Sequence, residues 1–246
     1  MKKSLALLAA LGCFSQSSMA ATTFTLANLT TAGQVGYHVL AADFGSALSY
    51  KPVTPAAPLG ITGFDIGIEA SATDMSQSAA AWKTLTGTDG LGTMVVPKLY
   101  VAKGLPFDID VAAFYTAIPT TDISVVGYAL SYAIIGGDIA LPAVTIRGAV
   151  TKLSGISEFT FGTKSVDISI SKGFLGFTPY AGVGQVWVDS STTNATATAG
   201  GIVAESFTQQ KVFVGLNVNL GLPNFAIEGD TTGGTSSYSV KLGLRW

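Results

Sequence analysis

The sequence predicts an all-β chain, closed into one antiparallel barrel that crosses a membrane with its strands. Three observations predict it. The chain of 246 residues is 48% hydrophobic and only 11% charged, with a mean hydropathy of +0.47, yet no stretch reaches the roughly 18–20 consecutive apolar residues that a membrane helix needs. From residue 61 onward, hydrophobic residues alternate with small or charged ones in segments of about ten residues, the length of a tilted membrane-crossing strand. Every second segment boundary is a short turn of similar composition. Charge is about half the ~25% of an average globular chain, which excludes a disordered chain, and a pI near 5.3 excludes a basic nucleic-acid binder. One cysteine excludes a disulfide scaffold.

The first twenty residues read as an export signal. Lys2 and Lys3 precede the apolar Leu5–Leu11, and Ser18-Met19-Ala20 offers a small-x-small cleavage site. Ala10-Leu11-Gly12-Cys13 is a weaker lipid-attachment candidate, since leucine is usual where Ala10 stands. Cleavage after Ala20 removes Cys13 with the signal. Without Lys2 and Lys3 the formal charge falls from −2 to −4.

The alternation is clearest in the last segment. Tyr238, Val240, Leu242, Leu244 and Trp246 face one way, and Ser239, Lys241, Gly243 and Arg245 the other. Val212, Val214, Leu216 and Val218 stand likewise against Lys211, Gly215, Asn217 and Asn219. Phe64, Ile66 and Ile68 oppose Asp65, Gly67 and Glu69; Phe107, Ile109 and Val111 oppose Asp108 and Asp110; Val144, Ile146 and Val150 oppose Thr145, Arg147 and Thr151. A soluble sandwich has the same period. Here, however, nearly every residue on the polar face is charged or very small, as suits a narrow interior. The strands exceed the five or six residues common in soluble sheets. Aromatics also gather at strand ends: Phe64, Phe107, Phe177, Phe225 and Trp246 at one, Tyr115, Trp187 and Tyr238 toward the other.

Gly104-Leu105-Pro106, Ala140-Leu141-Pro142, Gly173–Gly176 and Gly221-Leu222-Pro223 are the short turns. The alternate connections include two long ones at 74–94 and 189–206. Strands are expected near 61–73, 95–103, 107–117, 122–135, 142–153, 159–171, 176–189, 207–220, 224–231 and 237–246. That is about ten, with twelve allowed if residues 21–60 add a hairpin. Closure follows from physics, because an open sheet edge in lipid leaves backbone groups unpaired at several kcal/mol each.

An export signal, amphipathic strands and a terminal aromatic resemble the outer-membrane β-barrel proteins of Gram-negative bacteria. The ending Tyr238-Ser-Val-Lys-Leu-Gly-Leu-Arg-Trp246 resembles their C-terminal assembly signal, which usually ends in Phe. The resemblance covers 61–246 as architecture. It implies an outer-membrane location with the short turns in the periplasm. It also implies bilayer lipid and the barrel-assembly machinery as partners, and Tyr238, Leu244 and Trp246 as the residues that machinery reads.

Residues 21–60 alternate poorly. Tyr37, Leu40, Ala41, Phe44 and Leu48 follow helical spacing, and the proline-rich 51–60 (KPVTPAAPLG) reads as an extended connector. The segment is expected in the periplasm, as a tail, an extra hairpin or a plug at the periplasmic mouth. Small inward residues such as Gly67, Ser71, Ala112, Ser131, Ala149, Ser169, Gly215, Ser239 and Gly243 leave room for water or a plug.

Chemistry-bearing motifs are scarce. His38 is the only histidine, so histidine-based catalysis is excluded from the barrel. Neither a metal cluster nor a cofactor is expected. Gly182-Val183-Gly184 lacks a phosphate-loop setting and reads as strand. The informative set is the inward charge: acids Asp65, Glu69, Asp108, Asp110, Asp167, Glu228 and Asp230, and bases Lys98, Arg147, Lys211, Lys241 and Arg245. Two readings stay open. The barrel is a narrow passive channel whose lining charges bias small solutes or ions. Alternatively it is sealed by ion pairs, and its loops at 74–94 and 189–206, with Trp82 foremost, make surface contacts.

Overall fold

The computed structural model describes residues 29–86, 92–117 and 122–246. The export signal expected at 1–20, with Cys13 and the cleavage position after Ala20, lies outside the described residues. Ten strands form one closed antiparallel barrel: β1 (Phe64–Asp74), β2 (Thr93–Leu105), β3 (Ile109–Ala117), β4 (Ser124–Ile135), β5 (Ala143–Ser154), β6 (Phe159–Ser171), β7 (Phe177–Thr192), β8 (Glu205–Asn219), β9 (Pro223–Thr232) and β10 (Thr235–Arg245). Each strand pairs with its sequence neighbours, and β1 pairs with β10 to close the ring. The strand count is therefore ten, not twelve.

The alternation of the sequence is the alternation of the wall. In β5 and β6 buried and solvent-accessible residues alternate almost without interruption. Ile146, Val150, Val166, Ile168, Ile170, Val212, Val214 and Leu242 are exposed on the outside. A continuous apolar belt of this extent is not left bare by soluble monomers. Inward glycines are covered by the aromatic on the neighbouring strand: Phe114 lies over its partner Gly127, Phe213 over Gly182 and Tyr180 over Gly215. A Cβ at any of the three glycines would overlap the ring. Gly182 is thus a strand glycine, as its setting suggested.

The start of the third strand moves in a way that changes a site residue. Phe107 and Asp108 do not begin β3. Both have positive φ (66° and 57°) and form the tight turn after β2. Asp108 is exposed there and does not line the lumen. Period two cannot register this, because a turn residue of either polarity continues the pattern by chance.

Residues 29–60 make neither a periplasmic tail nor an extra hairpin. They occupy the interior. Helix α1 (Leu29–Leu48) is interrupted at Gly33 (φ 65°, ψ −175°), a conformation that glycine adopts without steric cost. An extended stretch from Ser49 to Gly60 follows and turns into β1, where Gly63 N–H donates to Gly60 O and Gly104 N–H to Gly63 O. Gly104 is required at this crossing, since a Cβ there would strike the Gly60 backbone.

Two more helices lie in the long connections. The first, α2 (Ala79–Thr86), joins β1 to β2 after a single 3-10 turn (Ser76–Ser78). The second, α3 (Ala195–Ala199), joins β7 to β8 and is capped by Asn194, whose side chain accepts from Ala197 N–H. No described helix is long and apolar enough to cross a membrane.

Candidate functional site

The lumen has two chemically distinct halves, and each matches the part of residues 29–60 that fills it. Toward the long-loop end the inner wall is largely uncharged, with an apolar patch on β6 and β7. Tyr37, Leu40, Phe44 and Leu48 of α1 pack against Phe159, Phe161, Val186 and Val188 of β6 and β7, with Met75 and Trp82 above them. Helical spacing in α1 thus meets the inward stripe of the strands. Trp82 closes this end from outside. Its indole N–H donates to Asp43 Oδ2 (2.6 Å) and its ring meets Phe44 edge-on at 5.6 Å. The first turns of α1 reach the loop rim, where Gln34 bonds Val203 and Glu205, and His38 Nδ1 lies 2.9 Å from Glu205 Oε2.

Toward the short turns the inner wall becomes polar, and the occupant becomes extended backbone rich in proline. Pro52, Pro55 and Pro58 carry no N–H, so a stretch without its own ladder has fewer donors to satisfy. The wall accepts from three of those that remain. Val53 N–H donates to Glu228 Oε2 (2.9 Å), Ala56 N–H to Ser171 Oγ (3.1 Å) and Leu59 N–H to both Asp110 oxygens (3.1 and 3.2 Å). In the other direction Lys211 Nζ donates to Tyr50 O (2.6 Å), Thr145 Oγ1 to Ala56 O (2.5 Å) and Arg245 Nη2 to Ala57 O (3.2 Å). Arg245 also reaches Thr54 Oγ1 at 2.5 Å.

Of the remaining wall charges, Asp65, Arg147, Asp167, Asp230 and Lys241 each have an opposite charge within 4 Å. Lys51 Nζ donates to both Asp230 oxygens (2.8 and 3.0 Å) and to Ser46 O (3.0 Å), with all three groups buried. Lys241 Nζ lies 2.6 Å from Asp65 Oδ2, which Arg245 also approaches at 3.3 Å. Arg147 faces its cross-strand neighbour Asp167 at 3.9 Å. Glu69 stands opposite Lys241 on β10 and Lys98 on β2. Lys98 and Lys241 also sit 4.9 Å from the ring centres of Phe114 and Tyr100.

Eleven of the twelve charges singled out in the sequence therefore face the lumen: Asp65, Glu69, Lys98, Asp110, Arg147, Asp167, Lys211, Glu228, Asp230, Lys241 and Arg245. Asp108 is the exception. The residue that sequence reasoning missed is Lys51, the only Lys or Arg between Lys3 and Lys83. Its isolation in an otherwise uncharged stretch was the available signal. In the charged half nearer the short turns, acids on the inner wall outnumber bases by one, and Lys51 supplies the missing cation.

Little free volume remains. A cavity of about 20 Å³ lies between Tyr50, Tyr100, Asp110, Arg147 and Arg245, enough for about one water molecule. Among the described residues, no group of His, Cys, Asp and Glu is arranged to hold a metal ion. Tyr238, Leu244 and Trp246 lie on the outer face of β10. Trp246 stacks on Phe64 at 5.2 Å and exchanges backbone hydrogen bonds with it, fastening the two ends of the sheet.

No protein-family model and no curated protein matches the chain. Solved structures that resemble it include outer-membrane barrels. The N-terminal β-barrel domain of Pseudomonas aeruginosa OprF is 12% identical and matches over 76% of this chain and 99% of that one, with a TM-score of 0.38. OprG of P. aeruginosa is 10% identical over 78% and 99% (TM-score 0.34). The translocator domain of the autotransporter NalP from Neisseria meningitidis is 11% identical over 92% and 99% (TM-score 0.36). The ten-strand ring, apolar outside and polar or plugged inside, is the architecture of an outer-membrane β-barrel.

Proposed function

We propose that this chain is a Gram-negative outer-membrane barrel sealed by its own N-terminal segment, and that it serves as a non-conducting surface protein. The observation that carries this reading is the use to which the wall charges are put. Glu228, Asp110, Lys211 and Arg245 bond the backbone of residues 50–59, and Asp230 binds Lys51. Groups engaged in this way are not free to coordinate passing ions, and the cavity beside Asp110 and Arg245 is close to one water in size. The functional surface is then the long-loop end, formed by α1, α2, α3 and the connections that hold them. The short turns face the periplasm, and Tyr238, Leu244 and Trp246 present the assembly signal during biogenesis. No catalytic role is assigned.

A gated channel is the second reading, favoured by one observation: the half of the lumen lined with charges would conduct once residues 49–60 left it. Planar-bilayer recording separates the two. The intact protein is expected to give no stable conductance steps, and deletion of residues 29–60 is expected to produce them. Should the deleted form fail to fold, Lys51→Ala combined with Lys211→Ala loosens the segment and is expected to yield brief openings. Steady conductance by the intact protein would overturn the sealed-barrel reading.

A further inference from the structure

The path of residues 29–60 has a fixed direction. Its C-terminal end is tied to the short-turn rim: Gly60 and Gly63 turn into β1, and Phe64 N–H donates to Trp246 O. Lys51 and Val53 lie midway, against Asp230 and Glu228. The N-terminal end of α1 lies at the opposite rim. Tyr37 bonds Ser190 near the end of β7, and Gln34 and His38 bond Glu205 at the start of β8. The strands begin and end at the short-turn rim, but the chain before them starts at the other one.

From this threading we propose that α1 is presented on the outer face of the membrane, so that the barrel displays a segment that precedes its own first strand. The inference rests on the orientation given above, with long loops outside, and extends it to a segment that precedes the first strand. An exported chain whose barrel starts and ends at the periplasmic rim would ordinarily leave its N-terminal segment on that side. Here α1 fits the apolar half of the lumen along Leu40, Phe44 and Leu48, and Trp82 covers it from the loop side. A helix this tightly enclosed does not slide through a finished barrel. It is enclosed when β1 meets β10, so the segment is placed before the seam closes. Display of α1 is therefore a product of assembly. The surface it completes carries the exposed Val35 and Val203, with Gln34 bonded to Val203 and Glu205, and His38 to Glu205.

Cysteine labelling in intact cells tests this, because the only native cysteine is Cys13, within the expected signal. Val35→Cys, Val203→Cys and Ile139→Cys are each made in the full-length protein, at positions 79%, 62% and 100% exposed. Heat-modifiable migration establishes that each variant forms its barrel. With a membrane-impermeant maleimide, Val35→Cys and Val203→Cys are expected to label in intact cells. Labelling of Ile139→Cys is expected to be lost until the outer membrane is permeabilised. Labelling of Val203→Cys without Val35→Cys would overturn the display of α1 while leaving the orientation standing. Labelling of Ile139→Cys alone would overturn the orientation itself, and display with it.

Discussion

Lys51 and Asp230 form an ion pair with no exposed side-chain surface on either partner, in a half-lumen where every charge must find a partner. A pair of this kind adds little net stability against an apolar substitute, yet breaking it from one side strands the other charge, at a cost of about 3–5 kcal/mol. Lys51→Met is therefore expected to lower markedly the temperature at which the barrel unfolds in detergent, read by heat-modifiable migration. Lys51→Met combined with Asp230→Asn is expected to recover most of the loss, because the stranded carboxylate is gone. Thr232, whose hydroxyl donates to Asp230 Oδ2 at 2.9 Å, can hold the amide as well. If the single variant melted like the parent protein, the lysine would not be in the lumen. Single residues were also where sequence reading was weakest. Asp108 and Asp110 look alike in an alternating string, yet one is turned outward by a positive φ and the other holds Leu59 N–H. Only the backbone conformation of the turn separates them.

The closing pair β1–β10 depends on backbone contact more than on side chains. Gly67 and Gly243 stand directly opposite each other, and a Cβ on Gly243 would meet Ile66 O and the Gly67 backbone. Opposite charges flank this contact, Asp65 against Arg245 and Glu69 against Lys241, and cross-strand pairs of opposite sign favour the register. Gly243→Ala is expected to cost about 1–3 kcal/mol, the usual penalty for overpacking, and to reduce the fraction of chains that reach the heat-modifiable form. Gly229→Ala is the matched control, since a Cβ there would lie 3.8 Å from the Tyr238 ring, an ordinary contact, and it is expected to fold like the parent. Equal behaviour of the two would argue against close approach at the seam. Strands of this kind are legible in sequence because facing in a sheet has period two and because each short turn sets Leu beside Gly or Pro. Helix α1 was legible as a helix for the same reason, through Tyr37, Leu40, Phe44 and Leu48. Its place was not. Periodicity says which side of an element is buried and nothing about what buries it. Small inward residues such as Ser71 and Gly215 indicated spare volume without naming its occupant.

At the scale of the whole molecule, two solvents meet the barrel, and the charges are sorted between them. The outer belt carries Ile, Leu, Val and Tyr around the full ring, while the inner wall holds acids and bases that nearly cancel. In the charged half nearer the short turns, cancellation is complete only with Lys51 in place, because the wall acids Asp65, Glu69, Asp110, Asp167, Glu228 and Asp230 exceed the bases Lys98, Arg147, Lys211, Lys241 and Arg245 by one. Removing residues 29–60 takes that cation away and opens the polar half to water, leaving a narrow passage with a small negative excess. Such a passage is expected to favour cations weakly, most visibly at low ionic strength, where screening extends over roughly 30 Å at 0.01 M. The measurement is the reversal potential of the deleted barrel across a potassium chloride gradient. Glu228→Gln in the same background neutralises the excess and is expected to bring the reversal potential close to zero. Lys98→Met increases the excess and is expected to strengthen the cation preference. An anion-preferring passage, or one indifferent to both substitutions, would mean that these side chains do not line the route that ions take.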